Sequence, residues 1–256
     1  MTGKSKKEGR LMIWDIESYI WKAASACKTL EEVKPFVYQE LYKLGNGIDY
    51  LKQKQKELEE TIKATDFVVA LGGEGNFRRE INPDYKSNRE DTQRPLMYSL
   101  LKDWVVNNFP CVSLKSLEAD DTCRIIYEDN VNYGGFQDKV IVSIDKDFYT
   151  IPDCWFYRDI PRERTLKFVD KTQADFNLKL QVIMGDKADG YYGIPGWGKA
   201  KATDWLTEQR RTWGDVWELF KANGLTSQDY TINKTMAKLI GYDNYLIDEE
   251  RIVNYD

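Results

Sequence analysis

The chain has 256 residues, 42% of them hydrophobic and 13% aromatic, enough for one large packed domain or a domain with an appended subdomain. It contains no histidine, which excludes Ser-His-Asp and Cys-His nucleophiles, histidine general bases and histidine-based zinc sites, so any hydrolysis must run on carboxylates, lysine or metal. The formal net charge of −5 argues against a nucleic-acid partner only until eight carboxylates gathered in four short motifs are set aside; the remainder is then positive.

The N-terminus is polar and basic (Lys4, Lys6, Lys7, Arg10) and no apolar run exceeds strand length, so neither a signal peptide nor a membrane span is expected, and the expected location is cytoplasmic. Leu11-Met12-Ile13-Trp14 runs into Asp15, and Phe67-Val68-Val69-Ala70-Leu71 runs into Gly72-Gly73; both read as buried parallel strands. Helices predicted over 18–29 and 48–64 complete a strand-helix-strand crossover with one extra helix. Cys111-Val112-Ser113-Leu114 is a third, weaker strand, and Lys139-Val140-Ile141-Val142-Ser143-Ile144 is the clearest one, ending on Asp145. Between them 118–130 predicts a helix whose first turn carries Glu118, Asp120 and Asp121. Strands alternating with helices imply an α/β sheet with its site at the carboxyl ends of the strands, where Asp15 and Asp145 fall. The stretch 174–184 is helical and meets a glycine-rich loop, Gly185 to Gly198. Helices over 199–207, 213–222 and 234–240 make the last third a helical subdomain packed on the sheet. The four cysteines, Cys27, Cys111, Cys123 and Cys154, form no C-x-x-C pair and read as reduced thiols.

The four acidic motifs are Asp15, Glu118-Ala119-Asp120-Asp121, Asp145-Lys146-Asp147 and Asp186-Lys187-Ala188-Asp189. Each has a bland reading alone: an acidic helix start that complements the helix dipole, a polar turn, an Asx turn. Together they require protonation or cations, and hard oxygen ligands suit Mg²⁺ or Mn²⁺. Gly193-Ile194-Pro195-Gly196-Trp197-Gly198-Lys199-Ala200-Lys201 lets backbone amides approach a phosphate at the positive end of the next helix, as in a helix-hairpin-helix DNA clamp. The segment Asn76-Phe77-Arg78-Arg79-Glu80-Ile81-Asn82-Pro83-Asp84-Tyr85-Lys86-Ser87-Asn88-Arg89 is either a plain surface loop or, placed after a strand aimed at the cleft, a phosphate-holding and base-stacking element.

Taken in this order, with Ser143-Ile144-Asp145-Lys146-Asp147-Phe148 and the tail Tyr242-Asp243-Asn244-Tyr245-Leu246-Ile247-Asp248, these motifs resemble the flap endonuclease and 5′→3′ exonuclease superfamily, and more closely the compact exonucleases of short-tailed bacteriophages. The resemblance covers nearly the whole chain. It implies a PIN-like 5′-nuclease core over 1–170, a mixed, mostly parallel central sheet flanked by helices, with a basic arch at about 76–95. A C-terminal helical subdomain over 171–256 would contain the helix-hairpin-helix clamp. By the same resemblance Asp15, Glu118, Asp120 and Asp121 hold one Mg²⁺ and Asp145, Asp147, Asp186 and Asp189 the second, with Mn²⁺ able to substitute. Lys86 and Arg89 neutralise the scissile phosphate, and Tyr85 or Phe77 stacks the terminal base. Arg78, Arg79 and Arg94 add DNA contacts. Gly193, Gly196 and Gly198 with Lys199 and Lys201 grip the duplex, with a K⁺ at the hairpin.

One departure stands out. The family carries an aspartate just past its second strand, where this chain has Gly72-Gly73-Glu74; either Glu74 supplies the oxygen or the first metal site is weakened. The function implied is a monomeric two-metal 5′→3′ exonuclease acting on duplex or flap 5′ ends and on RNA:DNA hybrids, in phage replication and recombination. The alternatives are a nucleic-acid-binding scaffold of the same fold without turnover and a small-molecule phosphatase.

Overall fold

In the computed structural model, which describes residues 7–26, 36–89, 94–95 and 97–255, the apolar runs become strands of one six-stranded sheet. Strand β1 (Lys7–Asp15) lies inside it, flanked by β2 (Asp66–Gly72) and β3 (Cys111–Leu114) on one side and by β4 (Phe136–Ser143), β5 (Cys154–Arg158) and β6 (Leu166–Val169) on the other. Every neighbouring pair is parallel except β5 with β6, so the sheet is mixed and mostly parallel. A strand covered on both faces must be apolar at successive positions rather than alternate ones, and Leu11, Met12, Ile13 and Trp14 are all buried. Met12 and Trp14 pack into one apolar cluster with α1 (Glu17–Ala26), α2 (Phe36–Ile62) and the helix at Met97–Asn108. Leu11 and Ile13 face the opposite cluster, which includes Cys123, Ile126, Phe148 and Phe156.

The chain leaves β1 to build β2 and β3 on one side and then crosses back to build β4 on the other. The strand order therefore reverses between β1 and β4, and the crevice beyond their carboxyl ends is the switch point at which such sheets bind ligands. Two short elements complete this end: α3 (Phe77–Ile81), started by the Asn76 side chain accepting from the Arg78 amide, and α5 (Ala119–Glu128), capped by Glu118.

Helix α4 (Met97–Asn108) packs against α1 and α2, and explains where the sequence pattern fell short. The expected helix over 48–64 starts earlier, at Phe36, although Gly45 and Gly47 each cost about 1 kcal/mol of helix propensity. A Cβ on Gly47 would stand 2.9 Å from the Leu101 methyls, so glycine there permits the close approach of α2 to α4. Strands β5 and β6 carried too short a pattern to read. The helix expected at 234–240 is α9 (Ser227–Ala237), begun by a Thr226/Asp229 capping box that sets its start upstream of the apolar signal. The end of the expected helix over 18–29, with Cys27, and the lysines at 4 and 6 lie outside the described residues.

Helices α6 (Lys171–Met184), α7 (Lys199–Glu208), α8 (Trp213–Ala222) and α9 close around an apolar cluster of their own, with Val182, Ala202, Val216, Phe220 and Met236 at its centre. Among the described residues no helix is long and apolar enough to cross a membrane.

Candidate active site

Asp15 is the last residue of β1 and only 6% exposed, because the sheet and the helices on both sides shield it. Ser143 Oγ, at the end of β4, donates to Asp15 Oδ2 at 2.6 Å and accepts from the Asp145 amide at 3.0 Å, so one hydroxyl ties the ends of two adjacent strands together. The first turn of α5 brings Asp120 in from a third direction. Burial pushes Asp15 up to about 7, with the charges of Glu17 and Asp145 adding to the rise and the Ser143 hydroxyl opposing it. Asp120 is pushed well above the carboxylate range by burial and by the charges of Asp15 and Asp145. Asp15 and Asp120 cannot both ionise cheaply without a cation.

Glu118 meets cations already. Tyr85 Oη donates to its Oε2 at 2.7 Å and Lys86 Nζ donates to its Oε1. Burial alone would raise Glu118, but Lys86 and Arg78 beside it hold it below its ordinary value. Lys86 has φ 54°, in the left-handed region that a lysine adopts only under constraint; its amide donates to the Asp189 carbonyl at 2.9 Å, and its Nζ lies 3.8 Å from Asp189 Oδ2. The basic segment is thus pinned to the last acidic motif. In the other carboxylate group, Lys146 Nζ stands 3.0 Å from both Asp147 Oδ1 and Asp186 Oδ2. Burial and the Asp145 charge raise Asp147 despite Lys146 and Gln181, whereas Asp186, against the effect of burial, is held down by Lys146 and the Ala188 and Asp189 amides.

Several expected site residues do something else. Asp121 is fully buried and accepts from Arg78 Nη1 at 2.6 Å, Arg78 Nη2 at 2.9 Å, the Ile240 amide at 2.8 Å and the Glu118 amide at 3.2 Å. Those bonds use the acceptor capacity of a carboxylate, leaving none for a metal. Arg78, expected on DNA, is 1% exposed and also donates to the carbonyls of Met236 and Lys238, so it fastens α3 to the end of α9. Phe77 and Tyr85, expected to stack a base, are buried in apolar clusters; Phe77 lies with Leu117 and Ile125, and Tyr85 among the C-terminal helices. Gly193 is a packing glycine, since a Cβ there would run into the Ile183 and Met184 backbone. Glu74 is exposed and is not among the charges acting most strongly on Asp15, Glu118 or Asp120. Arg79 and Arg94 are exposed, Arg94 stacking over the Tyr98 ring. The side chain of Arg89 and residues 90–93 lie outside the described residues.

A cavity of about 980 Å³ runs from the Lys146, Asp147 and Asp186 group, past Arg158, to Gly196 and Lys199. At its far end Gly196, at φ 77°, and Gly198, the N-cap of α7, have open space where a Cβ would be. Lys199 and Lys201 are exposed beside them, with Lys201 Nζ 4.2 Å from the Trp197 ring centre. Sequence reading passed over Arg158, Gln181, Lys146 as a counter-ion, and Glu17. Only Lys146 had a readable signal, its place between two acidic residues.

Among the described residues no three carboxylates close on one point as they stand; Lys86 pairs with Glu118, and Lys146 pairs with Asp147 and Asp186. The donor set nevertheless fits a hard divalent cation: clustered oxygens, no sulfur or imidazole, and carboxyl groups that burial, with mutual repulsion added, pushes toward protonation. The exodeoxyribonuclease of Enterobacteria phage T3 is 28% identical over 246 residues, 79% of this chain and 80% of that protein. The exonuclease of Escherichia phage T7 is 28% identical over 248 residues, 79% of this chain and 81% of that one. The bacteriophage T5 flap endonuclease, solved as a pseudo-enzyme-product complex with DNA and metal ions, superposes with a TM-score of 0.59 at 18% identity, covering 90% of this chain and 89% of that one. Residues 10–174, which hold most of β1, all of β2 to β6 and the carboxylates Asp15 and Asp145 near the strand ends, match the family model described as the 5'-3' exonuclease, N-terminal resolvase-like domain, and the chain belongs to that family.

Proposed function

We propose that this protein is a metal-dependent 5′→3′ exonuclease and structure-specific flap nuclease that hydrolyses phosphodiester bonds at DNA 5′ ends, with RNA in RNA:DNA hybrids as a second substrate. The observation that carries this reading is the gathering of carboxylates at the sheet's switch point, where the charges of Asp15 and Asp145 both act on buried Asp120, with a cavity running from neighbouring Asp147 and Asp186 to open glycine backbone. The T3 and T7 relatives named for exonuclease activity and the T5 nuclease solved with DNA and metal ions support it.

Asp15, Glu118 and Asp120 would hold one Mg²⁺ or Mn²⁺, and Asp147, Asp186 and Asp189 the other, with Asp145 acting on both groups. Bound there, the cations supply a water of lowered pKa and clamp the in-line transition state. Asp121 is not a ligand; its pairing with Arg78 holds α5 so that its neighbour Asp120 faces the crevice. Lys86, between Glu118 and Asp189, would be the cation facing the scissile phosphate, with Arg89 three positions on in the chain. The amides around Gly196 and Gly198, with Lys199 and Lys201, would grip the duplex backbone and take a K⁺, while the protein acts as a monomer. Reading backbone rather than base edges is what would admit an RNA strand.

Incubating 5′-labelled blunt, nicked, flap and RNA:DNA hybrid duplexes with Mg²⁺ tests the proposal. Release of short 5′ products with Mg²⁺ and none in EDTA is the expected result. Salt-dependent binding without turnover would replace the proposal with the scaffold reading.

A further inference from the structure

We propose that Glu17, on the first turn of α1, supplies the first metal group with the carboxylate that Gly72 and Gly73 lack. The inference rests on the metal-dependent reading above and assigns to Glu17 the place the sequence pattern offered to Glu74. Gly73 cannot carry a side chain, because a Cβ there would run into the Leu114 carbonyl at the end of β3. Gly72 could, and the space its side chain would enter is where Glu17 stands: a Cβ on Gly72 would lie 3.5 Å from Glu17 Oε1.

Glu17 is held in that position from two sides. The Gly72 amide donates to its Oε1 at 3.1 Å and Lys102 Nζ, on α4, donates to the same oxygen at 3.2 Å. Oε2 has no hydrogen-bond partner among the described residues. An acidic residue at a helix start ordinarily serves the helix dipole from solvent. This one is 34% exposed, bonds to the end of a strand 55 positions on, and adds its charge to that of Asp15. Its backbone amide also donates to the Asp15 carboxylate, so the start of α1 is tied both to Asp15 and to the end of β2. Among the described residues Glu74 has no comparable side-chain tie; its carbonyl accepts from the Ser116 amide at 2.7 Å.

Calorimetric titration of the DNA-free protein with Mn²⁺ reads metal affinity and stoichiometry without reference to activity. Glu17→Gln should weaken the tighter Mn²⁺ site about tenfold or more, the scale on which loss of a supporting carboxylate acts. Glu74→Gln should leave the isotherm where it was. Because Gly72 has room for a Cβ once the Glu17 side chain is cut back, the double variant Glu17→Ala/Gly72→Asp should recover most of the lost affinity, and circular dichroism melting shows whether each variant is folded. An unchanged isotherm for Glu17→Gln, a loss with Glu74→Gln instead, or no recovery in the folded double variant overturns the assignment. If the wild-type protein binds no Mn²⁺, the metal-dependent reading fails first and takes this one with it.

Discussion

Asp120 and Asp121 are adjacent, chemically identical and both in the first turn of α5, yet the fold puts them to opposite uses. Successive residues on a helix point about 100° apart. One carboxylate therefore faces the switch-point crevice, where Asp15 and Asp145 repel it, while the next faces α3 and α9, where Arg78 and two amides satisfy it. The crevice cluster is expensive until a cation arrives; the buried pair is complete within the chain. Function sits where charge is left uncompensated, and stability where it is matched.

Removing either residue separates the two roles. Asp120→Asn should lower Mg²⁺-supported cleavage by about a hundredfold or more, the scale seen when one electrostatic group of a reaction centre is lost, with the fold intact by urea titration. Activity within a factor of a few of wild type would break the comparison. Asp121→Ala strands Arg78 as a buried, unpaired charge and should cost about 3–5 kcal/mol in urea unfolding. The double change Arg78→Met/Asp121→Leu should recover much of that loss, since both charges go together. If Asp121→Ala instead weakened Mn²⁺ binding at unchanged stability, Asp121 would be a ligand after all.

The same contrast has a pH signature. The folded protein holds a proton on Asp15 up to about 7, whereas an unfolded chain releases it near the ordinary carboxylate value of about 4. Between those values the folded state binds more protons, so metal-free stability should fall as pH rises toward 7 and level off above it; Asp120 acts in the same direction. Glu118 and Asp186, held low, lose their contribution only in more acidic solution. Melting temperatures in EDTA across pH 5 to 8 check the slope, and added Mg²⁺ should flatten it. A smaller effect lies at the hairpin: Lys199→Ala/Lys201→Ala should weaken duplex binding modestly and lower the salt slope by about 0.9 for each phosphate no longer neutralised. An unchanged slope would remove the hairpin from the DNA path.

Much of the fold was legible because buried parallel strands are continuous apolar runs, and Leu11 to Trp14 and Val140 to Val142 are buried throughout. Acidic residues directly after two of those runs, Asp15 and Asp145, marked the crevice for the same reason. The basic segment misled. Its arginine and aromatic residues look alike in sequence, but Arg78, Phe77 and Tyr85 are turned inward, and nothing local records that the end of α9 supplies the carbonyls that receive Arg78. Glu17 was overlooked because its partner amide, Gly72, lies 55 positions on, at the end of β2.

By itself the sequence determined the chemistry available: no imidazole, many carboxylates, apolar runs that must pair in parallel, and glycines where backbone has to be approached. Those follow from composition and local pattern. Only the tertiary structure decided which carboxylate is left to bind a cation and which is spent on an arginine, because burial and charge compensation depend on neighbours far apart in the chain. The same long-range packing decided which residue stands at the empty end of β2.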